Sequence, residues 1–474
     1  MTICLRIMIK PMASSGRTAV PPGSFGWPLV GETMQLLLCG SRGRPHDFIL
    51  SRRTKHSQHV FKTSLFGEKT AIVCGPAGNK LIFTSENKLV SMWLPASMKK
   101  LFPRAFTVIP NYEEAMQTRK LITGFMRQEM AEGGGLVGRL DSACKAWLRR
   151  DWVGKEKVVA LGLIRKHAFS SIWEMMVGGD GDDEELQARL REEFAVMSKG
   201  MIQLPLCLPG TKHRKAIRSA RVVKEELLQV IRRKRKERAA ARGRGDMISH
   251  LMMGAGKDYH HHHDEVMIDD MIADNMMFLM MAGHESTCST MVLILKYLAE
   301  NPHCYQRVYQ EQKEIRLSKK EGELLRKEDM KRMSYSWNVV NEVLRLEPPA
   351  QASFREAIAD FTHEGFTVPK GWKVWWTVLA THKNPEYFKE PEKFDPSRFE
   401  GSGPAPYIFI PFGGGPRICP GRDFAYLEIL VFLHNVVQEF KWELVNPGEK
   451  ITIDPIPAPS EGLPILLHPH PHHI

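Results

Sequence analysis

Cys419 has the surroundings most suited to chemistry in this sequence. It is preceded by Pro411-Phe412-Gly413-Gly414-Gly415-Pro416-Arg417-Ile418, and followed by Pro420-Gly421 and an apolar helical run from 424 to 440. Three glycines in a row permit backbone conformations and close approaches that side chains would block. A cysteine just ahead of a helix N-terminus, with Arg417 beside it, is favoured as a thiolate. Such a thiolate can be a nucleophile, a redox sensor or a metal ligand; the plainer reading is a buried cysteine next to a glycine turn. A second constellation, Ala282-Gly283-His284-Glu285-Ser286-Thr287, lies at the centre of a helical run from 268 to 298. Glu285 and Ser286 offer a carboxylate and a hydroxyl for proton relay, and Gly283 is expected to make room for a flat ligand against the helix. Glu342 and Arg345 are three apart, a spacing that usually makes a solvated helix pair.

Taken together, Phe412, Gly415, Arg417, Cys419 and Gly421 form F-x-x-G-x-R-x-C-x-G, which resembles the haem-binding loop of the cytochrome P-450 superfamily. The resemblance implies haem b with the Cys419 thiolate as axial iron ligand, donating electron density that favours O–O cleavage. It further implies that Arg417 pairs with a haem propionate and that Phe412 packs beside the sulfur. The run at 282–287 resembles the family's acid–alcohol motif, with Ser286 where threonine is usual. Phe394-Asp395-Pro396-Ser397-Arg398-Phe399 resembles F-x-P-x-R-F, so Glu342, Arg345 and Arg398 are expected to form a buried, structural charge network. Arg355 and Arg119 take further propionate roles by resemblance, with Ala115 standing where an aromatic is common.

What the resemblance implies as a whole is a haem-thiolate monooxygenase. It would insert one oxygen atom from O2 into a C–H bond of a terpenoid or sterol-like substrate, with electrons from an NADPH-dependent flavoprotein reductase. Details such as Phe354-Arg355-Glu356-Ala357 look most like the plant clan oxidising triterpenes, brassinosteroids and gibberellin precursors, the triterpenoid branch being favoured. The Ala-Gly-His-Glu-Ser run is closer to the gibberellin-precursor oxidases. The alternatives are a haem-thiolate isomerase or dehydratase, which has no use for Glu285 and Ser286, and a non-catalytic haem binder from a truncated gene.

The elements that must position these residues are mainly helical. Strand pairs are expected near 59–74, between 354 and 378, and as a closing hairpin over 451–467. The fold class is therefore mainly α with a minor β portion drawn from both ends of the chain. Although 474 residues suggest about three domains, residues from Arg119 to Cys419 must surround one haem, so a single domain is expected over 21–474. With 25% charged and 43% hydrophobic residues, the composition excludes disordered, collagen-like and polytopic membrane chains. Eight cysteines without a CxxC pair exclude a disulfide scaffold and argue against structural zinc.

Residues 1–20 carry one short apolar patch, broken by Arg6, well below the roughly 20 residues that span a bilayer. Attachment to the cytosolic face of the endoplasmic reticulum, implied by the family, would then be peripheral, or the chain truncated. The run 268–298 is apolar enough to span, but His284 and Glu285 at its centre favour a core helix. Eight Lys or Arg among residues 232–244 read as a solvated helix end rather than a nucleic-acid patch. The histidines at 260–263 and at the tail read as surface loop. The net charge of +12 is assigned to an acidic reductase and a membrane surface, and a monomer is expected.

Overall fold

The computed structural model describes residues 19–28, 30–131, 135–178, 184–203, 207–238, 245–258 and 265–471. Residues 1–18, the histidines at 260–263, the end of the basic run at 239–244 and His472 and His473 lie outside them. Helices account for 57% and strands for 13%, the expected class. The helices are α1 (Thr33–Ser41), α2 (Pro45–Lys55), α3 (Gly75–Thr84), α4 (Ala96–Leu101), α5 (Tyr112–Ala131), α6 (Gly135–Asp151), α7 (Ala160–Val177) and α8 (Glu184–Met201). They continue as α9 (Lys212–Arg238), α10 (Met247–Asp258), α11 (Glu265–Glu300), α12 (Pro302–Leu317), α13 (Lys327–Met330), α14 (Ser334–Leu346), α15 (Leu379–His382) and α16 (Arg422–Glu439). Pro45, Pro76 and Pro302 stand in the first turns of α2, α3 and α12, where a missing N–H costs no bond and the fixed φ already suits a helix.

The longest helix, α11, has 36 residues, a span of about 54 Å. Met276, Met280, Val292 and Leu295 make it apolar on several faces, so it must be covered all round. The helices α7, α9, α14 and α16 pack on it, and 78% of its most apolar stretch is buried. It is a core helix. Gly283 serves that packing: a Cβ there would lie 2.1 Å from Ile172 Cδ1 on α7. The expectation that Gly283 makes room for a flat ligand is thereby corrected; the room it makes is for α7.

The strands are β1 (Val60–Leu65), β2 (Glu68–Val73), β3 (Val90–Met92), β4 (Lys157–Val159), β5 (Ala352–Ala357), β6 (Phe361–His363), β7 (Phe366–Val368), β8 (Lys373–Thr377), β9 (Phe440–Leu444), β10 (Ile451–Ile453), β11 (Pro457–Pro459) and β12 (Pro464–Pro469). The main sheet runs β1-β2-β8-β5-β3, with β2 parallel to β8 and the other pairs antiparallel. Both ends of the chain thus build one sheet. The expected closing hairpin exists over β10 and β11, but β12 leaves it to pair with β9 and β4. A continuous apolar core extends from Leu101 to Leu467 around α11.

Candidate active site

The cysteine loop is held from one side by the end of α3. Gly415 has φ +66°, and a Cβ there would lie 2.1 Å from Phe83 O; at Gly414 it would lie 2.5 Å from the Phe83 ring. The close approach these glycines permit is therefore to Phe83. The Cys419 N–H donates to Phe412 O (3.0 Å), and the Phe412 ring packs against Tyr426 at 5.2 Å. Gly421 directly precedes α16, with only Met126 Cε, at 3.9 Å, near a Cβ built on it. Among the described residues nothing crowds that position.

Cys419 is exposed, and the space it meets is a cavity rather than open surface. A cavity of about 540 Å³ lined by Met116, Arg119, Met126, Ile418 and Cys419 lies between α5 and the loop. Burial pushes the Cys419 thiol up; the Gly421 N–H and the charges of Arg119 and Arg422 pull the other way without winning. Removal from water outweighs the pull of the helix end, so a directly bound cation would be needed to favour the thiolate.

On α11, Ala282 is exposed and Ser286, one turn on, is half-buried, while His284, Glu285 and Thr287 are buried. The stripe through 282 and 286 borders open space. Ser286 Oγ donates to Ala282 O (2.6 Å). Glu285 points elsewhere, its carboxylate lying 3.5 Å from Arg165 Nε on α7 and 3.3 Å from His284 Nε2. Burial pushes its carboxyl pKa up, but hydrogen bonding and charge from His284 and Arg165 outweigh that and hold it below its ordinary value. The structure brings Ser286 to the open stripe and leaves Glu285 in an ion pair at its side. Arg165 escaped the sequence reading because nothing in its own neighbourhood marks it.

Three expected arginines converge near the loop. Arg119 is buried, donates to Ile418 O, and feels the charges of Cys419 and Arg417. Arg355 Nε donates to Glu86 Oε2 (2.8 Å) and Arg417 Nε to Glu86 Oε1 (3.0 Å). Glu86, which no motif signalled, therefore ties two of them together. Ala115 is fully buried in α5. Behind the loop, Arg345 grips Glu342 with two bonds (2.6 and 2.8 Å), and Arg398 Nε lies 3.4 Å from the same carboxylate. Arg345 also donates to the carbonyls of His382, Pro391 and Lys393, and Asp395 N–H donates to Glu342. Glu342, Arg345 and Arg398 are thus one cluster.

Comparison with known proteins gives a match to the Cytochrome P450 family over residues 21–473. Beta-amyrin 28-monooxygenase of Solanum lycopersicum is 43% identical, covering 99% of this chain and 96% of that one. The protein of the same name from Panax ginseng is 44% identical over 97% and 94% of the two chains. Among solved structures, retinoic acid bound cyanobacterial CYP120A1 aligns with a TM-score of 0.83 at 29% identity, covering 96% of this chain and all of that one.

Proposed function

This chain belongs to the cytochrome P450 family and is a monooxygenase, and from that premise we propose that it holds haem through Cys419 and oxidises a triterpenoid of the β-amyrin kind. A haem ligated by a cysteine thiolate supplies, when bound, O2 activation and transfer of one oxygen atom into a C–H bond. The buried, unpartnered Arg417 Nη1 carries the cofactor reading: it is a cation edge directed at no acceptor among the described residues. The open Ala282 stripe and the unfilled space at Gly421 fit the same group. The iron would be the cation that the Cys419 thiolate calls for.

The chain's own residues then divide the work. Phe412 O fixes the Cys419 backbone, and Arg119, Arg355 and Arg417 oppose propionate charge. Ser286 Oγ, whose proton rests on Ala282 O, would turn it toward the open stripe, and Glu285 would exchange protons after leaving Arg165. The Glu342 cluster holds the segment ahead of the loop. Phe278, half-buried one turn before Ala282 and edge-on to Phe102 and Phe106, gives that stripe an apolar end suited to a terpenoid.

Partners follow from charge. Lys120, Arg127 and Arg422 are exposed at the rim of the cysteine-side cavity and suit an acidic flavoprotein reductase. A second basic region bears on the membrane part of the +12 assignment, although Lys212, Lys224, Lys234 and Arg235 in it are paired with aspartates. Helix α9 alone carries twelve Lys and Arg against three Glu, a net +9. Its start is joined to the β10–β11 hairpin by Lys212–Asp454 (3.2 Å), and α1 packs on β10. Trp27, Met34, Leu38 and Leu208 are exposed in the same quarter. Apolar side chains beside a basic helix suit an anionic membrane surface, such as the cytosolic face of the endoplasmic reticulum.

The test is the spectrum of the reduced, CO-bound protein, followed by turnover of β-amyrin with a plant NADPH-dependent reductase. A thiolate-type red-shifted band, lost in Cys419→Ala, and a product heavier by one oxygen are expected. A protein that takes up no haem defeats the reading; haem without β-amyrin turnover defeats the substrate.

A further inference from the structure

Glu86 lies in the turn between α3 and β3, far in sequence from the two arginines its side chain holds. Its side chain is 3% exposed, and the carboxylate accepts from two guanidinia at once, each through Nε. Arg355 and Arg417 are therefore both held by the same edge. For Arg355, Nη1 is spent on Ser353 Oγ and Phe354 O. For Arg417, which lies over the Tyr112 ring at 5.3 Å, Nη1 is buried and has no partner among the described residues. Arg119 stands close enough for its charge to act on Arg417 and Cys419.

Charge makes this arrangement informative. Guanidinium stays protonated in proteins, so without an acid three arginines would put three positive charges in one buried region. Burial drives the Arg355 guanidinium toward losing its proton, Glu86 opposes that by charge and hydrogen bond, and Arg417 adds to it. One carboxylate among three arginines leaves a net charge of +2, equal and opposite to two propionates.

We propose that Glu86 is a positioning residue for the cofactor. It ties down the Nε edges of Arg355 and Arg417 so that Arg417 Nη1 is free to face a propionate, and it trims the cradle's charge to match the propionate pair. This rests on the reading that Cys419 binds haem. A merely structural Glu86 would affect melting alone; a positioning Glu86 also acts on the iron and on cofactor retention.

The experiment uses haem-loaded full-length protein. In Glu86→Gln the cradle gains a positive charge, so the haem midpoint potential shifts upward. Transfer of haem to apomyoglobin quickens about tenfold, the cost of losing one charge-assisted hydrogen bond. Glu86→Asp keeps the charge on a shorter arm: the potential stays at the wild-type value and haem leaves at an intermediate rate. Glu86→Gln with Arg417→Gln restores the net charge and returns the potential. Wild-type potential and transfer rate in Glu86→Gln would overturn the proposal, as would a double variant whose potential is no closer to wild type than that of the single one. Should Glu86→Gln not fold, Glu86→Asp decides: unchanged haem transfer overturns it. The CO-bound band of the wild type, read in the same preparations, separates failure of the haem reading from failure of this one.

Discussion

Glu342 and Glu86 are each gripped by two arginines, yet the two clusters close differently. At Glu342, Arg345 spends all three of its nitrogens on protein acceptors: both carboxylate oxygens and three backbone carbonyls. At Glu86, Arg417 keeps a buried nitrogen with no acceptor among the described residues. Arg345, fully bonded, defines the positions of its own segments and has nothing left to bind with, although Arg398 beside it leaves its buried Nε, 3.4 Å from Glu342, without a hydrogen-bond partner among the described residues. An arginine with an unmet buried donor, such as Arg417, gains from any acceptor outside the protein that reaches it, because leaving that donor unmet is costly. Glu428 on α16 marks the limit with no arginine at all: it is 2% exposed, and burial pushes its carboxyl up to about 8 despite the hydroxyls of Thr287 and Ser171.

The comparison can be broken most severely at Arg345. Arg345→Ala leaves Glu342 buried and largely unpaired, a loss of about 3–5 kcal/mol, and little folded protein should survive expression; a denaturation midpoint near that of the wild type would contradict the saturated reading. Next comes Glu428. Below about pH 4.5 its carboxyl is protonated in both states, and from there to about 8 only the folded protein keeps the proton. Stability therefore falls as pH rises through that window, by at most about 1.4 kcal/mol per unit. Glu428→Gln should flatten this part of the curve, measured by denaturant midpoints from pH 5 to 8.

A smaller effect distinguishes the second arginines. Arg398→Gln leaves the bidentate pair intact and should cost about 1 kcal/mol with haem retention unchanged. Arg417→Gln should cost a similar amount but release haem faster, measured by transfer to apomyoglobin. Equal haem release in both variants would erase the distinction between the clusters. Smallest in stability is Ser286→Ala, which loses one local bond to Ala282 O; its signature is more peroxide released per NADPH consumed.

What the sequence revealed follows from how local each signal is. The cysteine loop, the Glu342–Arg345 spacing and the long apolar run were legible because their partners lie within a few residues or a known motif. Glu86 was not, since its partners lie 269 and 331 positions away. Gly283 was misread for a related reason: a glycine announces close approach without naming what approaches, and here it is Ile172. The charge of α9 was visible as a count but not as a place. For the Cys419 thiol the sequence displays the neighbouring charges, whereas the enclosure that pushes it up is supplied only by the fold.

The parallel pairing of β2 with β8 has a consequence for biogenesis. Thr70 must meet Lys373, so β2 leaves the ribosome some 300 residues before its partner, a wait of roughly 15–60 s at ordinary elongation rates. Throughout that time the β1–β2 ribbon exposes an open, apolar edge of the kind that invites mispairing between nascent chains. Cofactor capture comes later still, because Arg355, Arg417 and Cys419 all emerge near the end. Folding of this enzyme is therefore expected to depend on chaperone protection of its first hundred residues, and haem supply to limit yield only after the chain is complete.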